Sequence, residues 1–262
     1  MGKGEASEFE IRNRAAWIRL NRPESRNALS AELLGELSRH LQSAIDDPSV
    51  RVVVLTGTGK AFCAGADLKS QGSGVADGKS KNDFVEILKQ MREGPKPVIC
   101  AVNGHAFGGG IGLVAAADIA IAVRGAKFAF SEVRLGVIPA IISVVALPKL
   151  GEHHAMRLFV TGERFSADEA MGYGLVHRVV EDRDLESAVW AEVDAIAKGA
   201  PNAVAAAKRL VREIPRLEPD DAYEVAAERI AKLFASAEAA EGLAAFAQKR
   251  PPSWVEADGD ES

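Results

Sequence analysis

Cysteine is scarce: Cys63 and Cys100 are the only two among 262 residues. That excludes a disulfide framework and a four-thiolate metal site, and points to reduced thiols and a cytoplasmic location. A basic surplus is also lacking, since 32 Lys and Arg stand against 37 Asp and Glu for a formal net charge of -5. Nucleic acid is thereby excluded as a main partner, while a local basic pocket stays open. Long apolar runs are missing too. Leu135 to Leu147, uncharged throughout, contains Pro139 and falls far short of the roughly 20 residues a membrane span needs. Met1 to Glu10 is polar and carries no apolar secretory stretch, so the chain is expected to stay where it is made, without a membrane anchor. No solenoid-length repeat and no sustained heptad pattern occurs.

What is present is material for a core. At this length the chain can build one large domain, or a core with an appendage, and a 47% hydrophobic composition excludes disorder over most of it. Phe9 to Leu20 reads as two strands around a turn at Asn13-Arg14. Ser30 is placed to cap a helix with Leu33, Leu34, Leu37, Leu41 and Ile45 at three- and four-residue steps, stopped by Asp47-Pro48. Val50 to Thr56 predicts a buried strand, Gly57 to Gly65 a turn-rich loop, and Gln71 to Asn82 a mobile polar segment. A helix over Phe84 to Met91, a strand over Val98 to Val102, a buried helix over Ile111 to Ala117 and strands over Ile119 to Val123 and Lys127 to Phe130 follow. Helices are expected at 155–161, 167–173, 185–198, 202–213, 220–235 and 238–250, with a strand at 175–180. The division expected is an α/β core over residues 1–198 and a helical region over 199–262.

Two segments follow buried strands and bring backbone amides within reach of a ligand. One is Ala61-Phe62-Cys63-Ala64-Gly65-Ala66-Asp67-Leu68; the other is Asn103-Gly104-His105-Ala106-Phe107-Gly108-Gly109-Gly110, whose glycines open a helix that favours negative charge. Neither fits a phosphate loop or a dinucleotide fingerprint. Glu132, in Ser131-Glu132-Val133-Arg134-Leu135-Gly136-Val137-Ile138-Pro139, sits amid apolar neighbours that would raise its pKa and suit proton transfer. An ion pair with Arg134 or a helix cap is the alternative use of that carboxylate. His105, His153 and His154 are read as structural or surface residues. No cluster has zinc spacing, so no metal is expected, and no Ser-His-Asp set is identifiable.

Taken with Leu20-Asn21-Arg22-Pro23, Asn27-Ala28-Leu29 and the C-terminal Ala245-Phe246-Ala247-Gln248-Lys249-Arg250, these segments resemble the enoyl-CoA hydratase/isomerase, or crotonase, superfamily across almost the whole chain. The resemblance implies a spiral of repeated strand-strand-helix turns closed by a C-terminal helical region, packed as a homotrimer or a dimer of trimers. It implies an acyl-CoA thioester substrate, with CoA entering only as part of that substrate and no separate cofactor. The backbone amides of Ala66 and Gly109 would hold the thioester oxygen, and Glu132 would move protons. Arg26, Ala28, Ala64, Asp67 and Leu68 match CoA-wrapping positions, and Gly108, Leu135 and Gly136 match substrate-contacting ones. Lys69 matches a CoA-contacting lysine, a solvated surface lysine being the alternative. Phe246 and Lys249 match residues that in relatives reach the CoA site of a neighbouring subunit.

One departure stands out. Typical hydratases of the superfamily carry a second glutamate two residues past the glycine triplet, where this chain has Gly112. The pattern resembles members acting on branched or carboxylated enoyl-CoAs, the absent side chain being expected to leave room for such an acyl group. A hydratase-type hydro-lyase is the expectation. The alternatives are a single-glutamate enoyl-CoA isomerase and an inactive acyl-CoA-binding relative.

Overall fold

Asn13 and Arg14 both take up left-handed backbone, with φ of 42° and 66°, and turn β1 (Ser7–Arg12) back against β2 (Ala15–Leu20). The computed structural model describes residues 5–67 and 78–255, of which 78–82 as backbone alone. Ser30 Oγ accepts from the Leu33 amide and starts α1 (Ala31–Asp46), which buries Leu33, Leu34, Leu37 and Leu41. Ala44, rather than Ile45, completes that buried stripe, and Lys96 Nζ donates to the freed carbonyls of Ala44 and Asp47 at the helix end.

Three strand-strand-helix turns follow. They are β3 (Val52–Gly57), β4 (Ala61–Cys63) and α2 (Gly78–Glu93); β5 (Val98–Val102), β6 (His105–Phe107) and α3 (Gly109–Ala116); β7 (Ile119–Val123), β8 (Lys127–Ala129) and α4 (Ala140–Thr161). The first strand of each turn joins one sheet and the second joins another. With β9 (Phe165–Ser166) and β10 (Arg178–Val180), the orders are β1-β2-β3-β5-β7-β10 and β4-β6-β8-β9. Every residue of β3 and of β5 is buried, which fits parallel strands covered on both faces. The strand-strand-helix spiral expected from the resemblance is the architecture observed.

The differences from expectation have local causes. β4 and β6 are only three residues long, too short to show a hydrophobic period, and the sequence reads as turns there. The polar stretch expected over Gln71 to Asn82 lies outside the described residues as far as 77, and from Gly78 it is helix. The helix expected at 155 begins at Ala140 and runs through Pro148, with non-helical backbone at Gly151. Pro148 lacks the N–H that would bond the Val144 carbonyl; Arg92 Nη1, from α2, donates to that carbonyl instead at 3.1 Å.

The chain divides into two compact units between Ala191 and Glu192, within α6 (Leu185–Ala197), whereas composition places the division after Lys198, just past that helix. The first unit also holds α5 (Ala167–Gly172), closed by a reciprocal cap between Ser166 and Glu169. The second unit contains α7 (Pro201–Glu213), α8 (Pro219–Phe234) and α9 (Ala237–Gln248). Its C-terminal turn is fastened by a two-fold Arg250–Glu241 contact (2.6 and 2.8 Å), and Arg250 holds the Glu241 carboxyl down at about 2. Among the described residues no helix is long and apolar enough to cross a membrane.

Candidate active site

β4, β6 and β8 run parallel and side by side, so the segments leaving their C-terminal ends are neighbours. These are the segments the sequence singled out: Ala64 to Asp67 after β4, Gly108 and the start of α3 after β6, and the turn Ser131–Leu135 after β8. A parallel sheet thus gathers chemistry separated by more than sixty positions in sequence.

The first two segments touch. A side chain on Gly65 (φ 87°) would lie 2.8 Å from the Phe107 carbonyl and 3.2 Å from the Gly109 nitrogen, so only glycine lets them pass. Ala66 forms a parallel bridge with Leu29, in which the Leu29 amide donates to Gly65 O (2.8 Å) and the Asp67 amide donates to Leu29 O (3.3 Å). That pattern turns the Ala66 N–H away from Leu29. The Gly109 N–H opens α3, where helical geometry supplies no intrahelical acceptor. Two backbone N–H groups, those of Ala66 and Gly109, therefore stand on segments that touch each other.

Glu132 lies against this pair. A Cβ on Gly108 would be 3.1 Å from Glu132 Oε1, so the carboxyl rests on the face of that glycine. Its Oε2 is buried and has no hydrogen-bond partner among the described residues. Burial raises the Glu132 pKa above its usual carboxylate value, a backbone hydrogen bond partly opposing the shift. The alternative uses of this carboxylate are not what the structure contains: Arg134 Nε donates to the Thr161 carbonyl, and the turn has no side-chain cap. Gly136 (φ 75°) closes the turn, and Leu135 just before it and Val137 and Ile138 just after it are exposed.

Gly112 is one helical turn beyond Gly108 on α3. The room expected there is already filled, because a Cβ would lie 2.5 Å from Ile142 Cγ2 and 3.2 Å from Phe84 Cζ. The expectation of a vacant acyl niche at Gly112 is thus corrected: apolar side chains from α4 and α2 occupy it.

The matched CoA-wrapping positions divide. The Arg26 carbonyl accepts from the Ala64 amide (3.0 Å), Ala28 is buried, and the Ala28 carbonyl accepts from Arg22 Nη1 (3.0 Å). Asp67 is buried with its carboxylate 3.0 Å from the same Arg22 nitrogen, so its side chain is held within the protein. Leu68 and Lys69 lie outside the described residues. Phe246 and Lys249 belong to the second unit, where Phe246 is exposed and Lys249 ends α9 in left-handed backbone.

Some residues at the site carried no assigned role in the sequence. Asn27 is fully buried and donates to the carbonyls of Thr58, Ala61 and Phe62 while accepting from the Arg22 amide. With Arg22 it ties the segment before α1 to β4. Asn-Arg-Pro followed by Asn-Ala-Leu was the visible signal for these two, whereas Phe84 and Ile142 are apolar helix residues indistinguishable in sequence from ordinary core. Of the histidines, His105 Nδ1 takes the Lys127 amide and His154 packs on Tyr173. Burial pushes the Cys63 thiol up to about 12. Among the described residues no group of three or more His, Cys, Asp or Glu side chains is placed to hold a metal ion.

A family model described as enoyl-CoA hydratase/isomerase matches residues 10–257. A carnitinyl-CoA dehydratase of Proteus mirabilis is 38% identical over 244 residues, covering 90% of this chain and 93% of that protein. Among solved structures, an enoyl-CoA hydratase of Mycobacterium smegmatis aligns with a TM-score of 0.89 at 35% identity, over 95% of this chain and 98% of that one. An enoyl-CoA hydratase from Shewanella pealeana aligns with a TM-score of 0.90 at 32% identity, over 95% and 96%.

Proposed function

Because the chain belongs to the enoyl-CoA hydratase/isomerase family, we propose that it is a hydro-lyase interconverting a 2-enoyl-CoA thioester and its 3-hydroxyacyl-CoA. The observation that carries the reading is the buried, unpartnered Glu132 Oε2 on a carboxyl that rests against Gly108, next to the Gly109 N–H that opens α3. Names of relatives support the hydro-lyase direction, one being a dehydratase and others hydratases.

In hydration, the Ala66 and Gly109 amides hold the thioester oxygen. Glu132 takes a proton from water as the water oxygen bonds to C3. The C2–C3 π pair moves toward C1 and the carbonyl pair onto the oxygen, giving an enolate held by the two donors. Donors placed where charge develops contribute on the order of 3 kcal/mol each. Glu132, now an acid, returns its proton to C2, the carbonyl reforms, and the carboxylate is regenerated. Dehydration runs the same steps backward, starting again from the carboxylate.

One group working in both roles has a pH signature. Either direction needs ionised Glu132, so kcat/KM should fall on acidification through the same raised pKa, above 4.5, in both. Glu132→Gln should lower kcat by about 10²- to 10⁴-fold. Following the conjugated thioester band with crotonyl-CoA, methylglutaconyl-CoA, carnitinyl-CoA and a 3-enoyl-CoA tests the proposal. Turnover of the 3-enoyl thioester alone would make the protein an isomerase, a reading the single carboxylate also suits. Binding without turnover would make it an acyl-CoA-binding protein. Branched and carboxylated substrates belong in the panel on the strength of the sequence pattern, since Ile142 and Phe84 remove the argument from space at Gly112.

CoA enters as part of the substrate and no separate cofactor takes part. The working assembly is proposed to be a homotrimer or a dimer of trimers located in the cytoplasm. Exposed Val144, Met156 and Val160 on α4, and Tyr223, Ile230 and Phe234 on α8, support self-association.

A further inference from the structure

We propose that Ile142, with Phe84, sets how deep an acyl group can enter this site. The inference rests on the hydro-lyase reading only in requiring that the site take an acyl thioester.

Glu132 touches the face of Gly108, and Gly112 lies four residues further along α3, on the same side of the helix. Phe84 spans the interval: its Cζ would be 3.6 Å from a Cβ on Gly109 and 3.2 Å from one on Gly112. Ile142 Cγ2 closes the far end, 2.5 Å from a Cβ on Gly112. Both side chains are buried, and they come from two different helices, α2 and α4, which flank α3. An acyl chain whose thioester oxygen sits between Ala66 and Gly109, with C2 and C3 facing Glu132, meets this apolar floor within one helical turn. The two side chains that form this floor, Phe84 and Ile142, are both apolar. A substituent reaching it is selected by length and shape, and lengthening the chain by one or two carbons brings it against Ile142.

Truncating Ile142 to alanine removes the obstructing Cγ2 and leaves its Cβ, which would stand 3.2 Å from a Cβ on Gly112. That predicts two separate consequences. The first is a change in chain-length preference: the ratio of kcat/KM for octenoyl-CoA to that for crotonyl-CoA should rise about tenfold or more in Ile142→Ala, a methylene-scale change in an apolar pocket commanding that range. The second needs no substrate. Gly112→Ala should lower the melting temperature by several degrees in the wild-type background and by clearly less in the Ile142→Ala background, because the collision it creates has been removed.

The experiment combines turnover of crotonyl-, hexenoyl- and octenoyl-CoA with calorimetric binding of the matching saturated acyl-CoAs, in wild type, Ile142→Ala and Phe84→Leu. Should Ile142→Ala fail to fold, Ile142→Val takes its place. A shift of both turnover and binding toward longer chains is the expected result. Wild-type turnover with an unchanged length profile in both variants overturns the inference and leaves the hydro-lyase reading standing. Absence of turnover in wild type, with binding still shifted toward longer chains in Ile142→Ala, overturns the hydro-lyase reading and leaves the inference standing. Failure of the wild type to bind any of these thioesters overturns both.

Discussion

Adjacent glycines of α3 meet different kinds of neighbour. A methyl on Gly109 would come 2.8 Å from Leu29 Cδ1, the far end of a side chain that can turn aside, whereas one on Gly110 would collide with the backbone carbonyl of Cys63 in β4. Gly110→Ala should therefore push β4 and α3 apart, costing about 1–3 kcal/mol and disturbing the Ala64 to Asp67 segment that follows. Gly35 is the control: exposed within α1, with nothing within 4 Å of its Cβ position, it should gain about 0.5–1 kcal/mol on replacement by alanine. Thermal melts of the two variants check the opposite signs. Glu132 carries a further prediction at this scale. Its folded pKa is raised, so the folded state holds the proton more tightly and loses stability as pH rises from 4.5 through the folded value. Glu132→Gln should thus melt higher than wild type near neutrality, with the difference vanishing below pH 4.5, while losing activity. Equal melting temperatures at neutral pH would show that the carboxyl bears no desolvation cost.

Among the elements, the three short strands β4, β6 and β8 determine where the chemistry lies, and only β8 was foreseen as a strand. The long apolar strands were legible because four or more consecutive buried residues mark β3, β5 and β7. α1 was legible from its cap and its leucine spacing. The first half of α4 was not, because Pro148 reads as a breaker and Arg92, the group that satisfies the carbonyl it frees, is over fifty residues away. The site divides in the same manner: Glu132 and the glycine turns are visible as local patterns, but Phe84 and Ile142 become site residues only when α2 and α4 close on α3. The latch of Arg22 and Asn27 belongs to this scale as well. Asn27→Ala strands the carbonyls of Ala61 and Phe62 in a buried place, at about 1–3 kcal/mol for each unsatisfied group. Arg22→Met should act differently, leaving β4 in place but removing one contact each from Ala28 and Asp67 beside Ala66. A fall in kcat with KM little changed, partly recovered in Arg22→Lys, is the expected outcome. A stable Arg22→Met enzyme with unaltered kcat would show that the Ala66 amide needs no such support.

At the scale of the whole molecule, the segments assigned to proton transfer and oxygen binding all fall in the first compact unit, while Phe246 and Lys249 fall in the second. The second unit exposes an apolar face of its own: Tyr223, Ile230 and Phe234 recur at seven- and four-residue steps along α8, the spacing of one helix side. A lone chain would leave that face in water, and the proposed symmetric assembly of identical chains would cover the same patch on every copy. Ile230→Glu with Phe234→Glu places two charges on it and should reduce the mass measured by light scattering toward that of a single chain. If assembly also carries Phe246 or Lys249 to a neighbouring copy's CoA site, dissociation will raise KM for the thioester far more than it lowers kcat, since the reacting carbons stay with Glu132 of their own chain. Phe246→Ala then separates the two effects. It should raise KM in an enzyme that keeps its assembled mass, because Phe246, 84% exposed on α9, is available to a neighbour without being part of its own unit's core. A monomeric wild type with full activity would remove both the assembly and this role for Phe246.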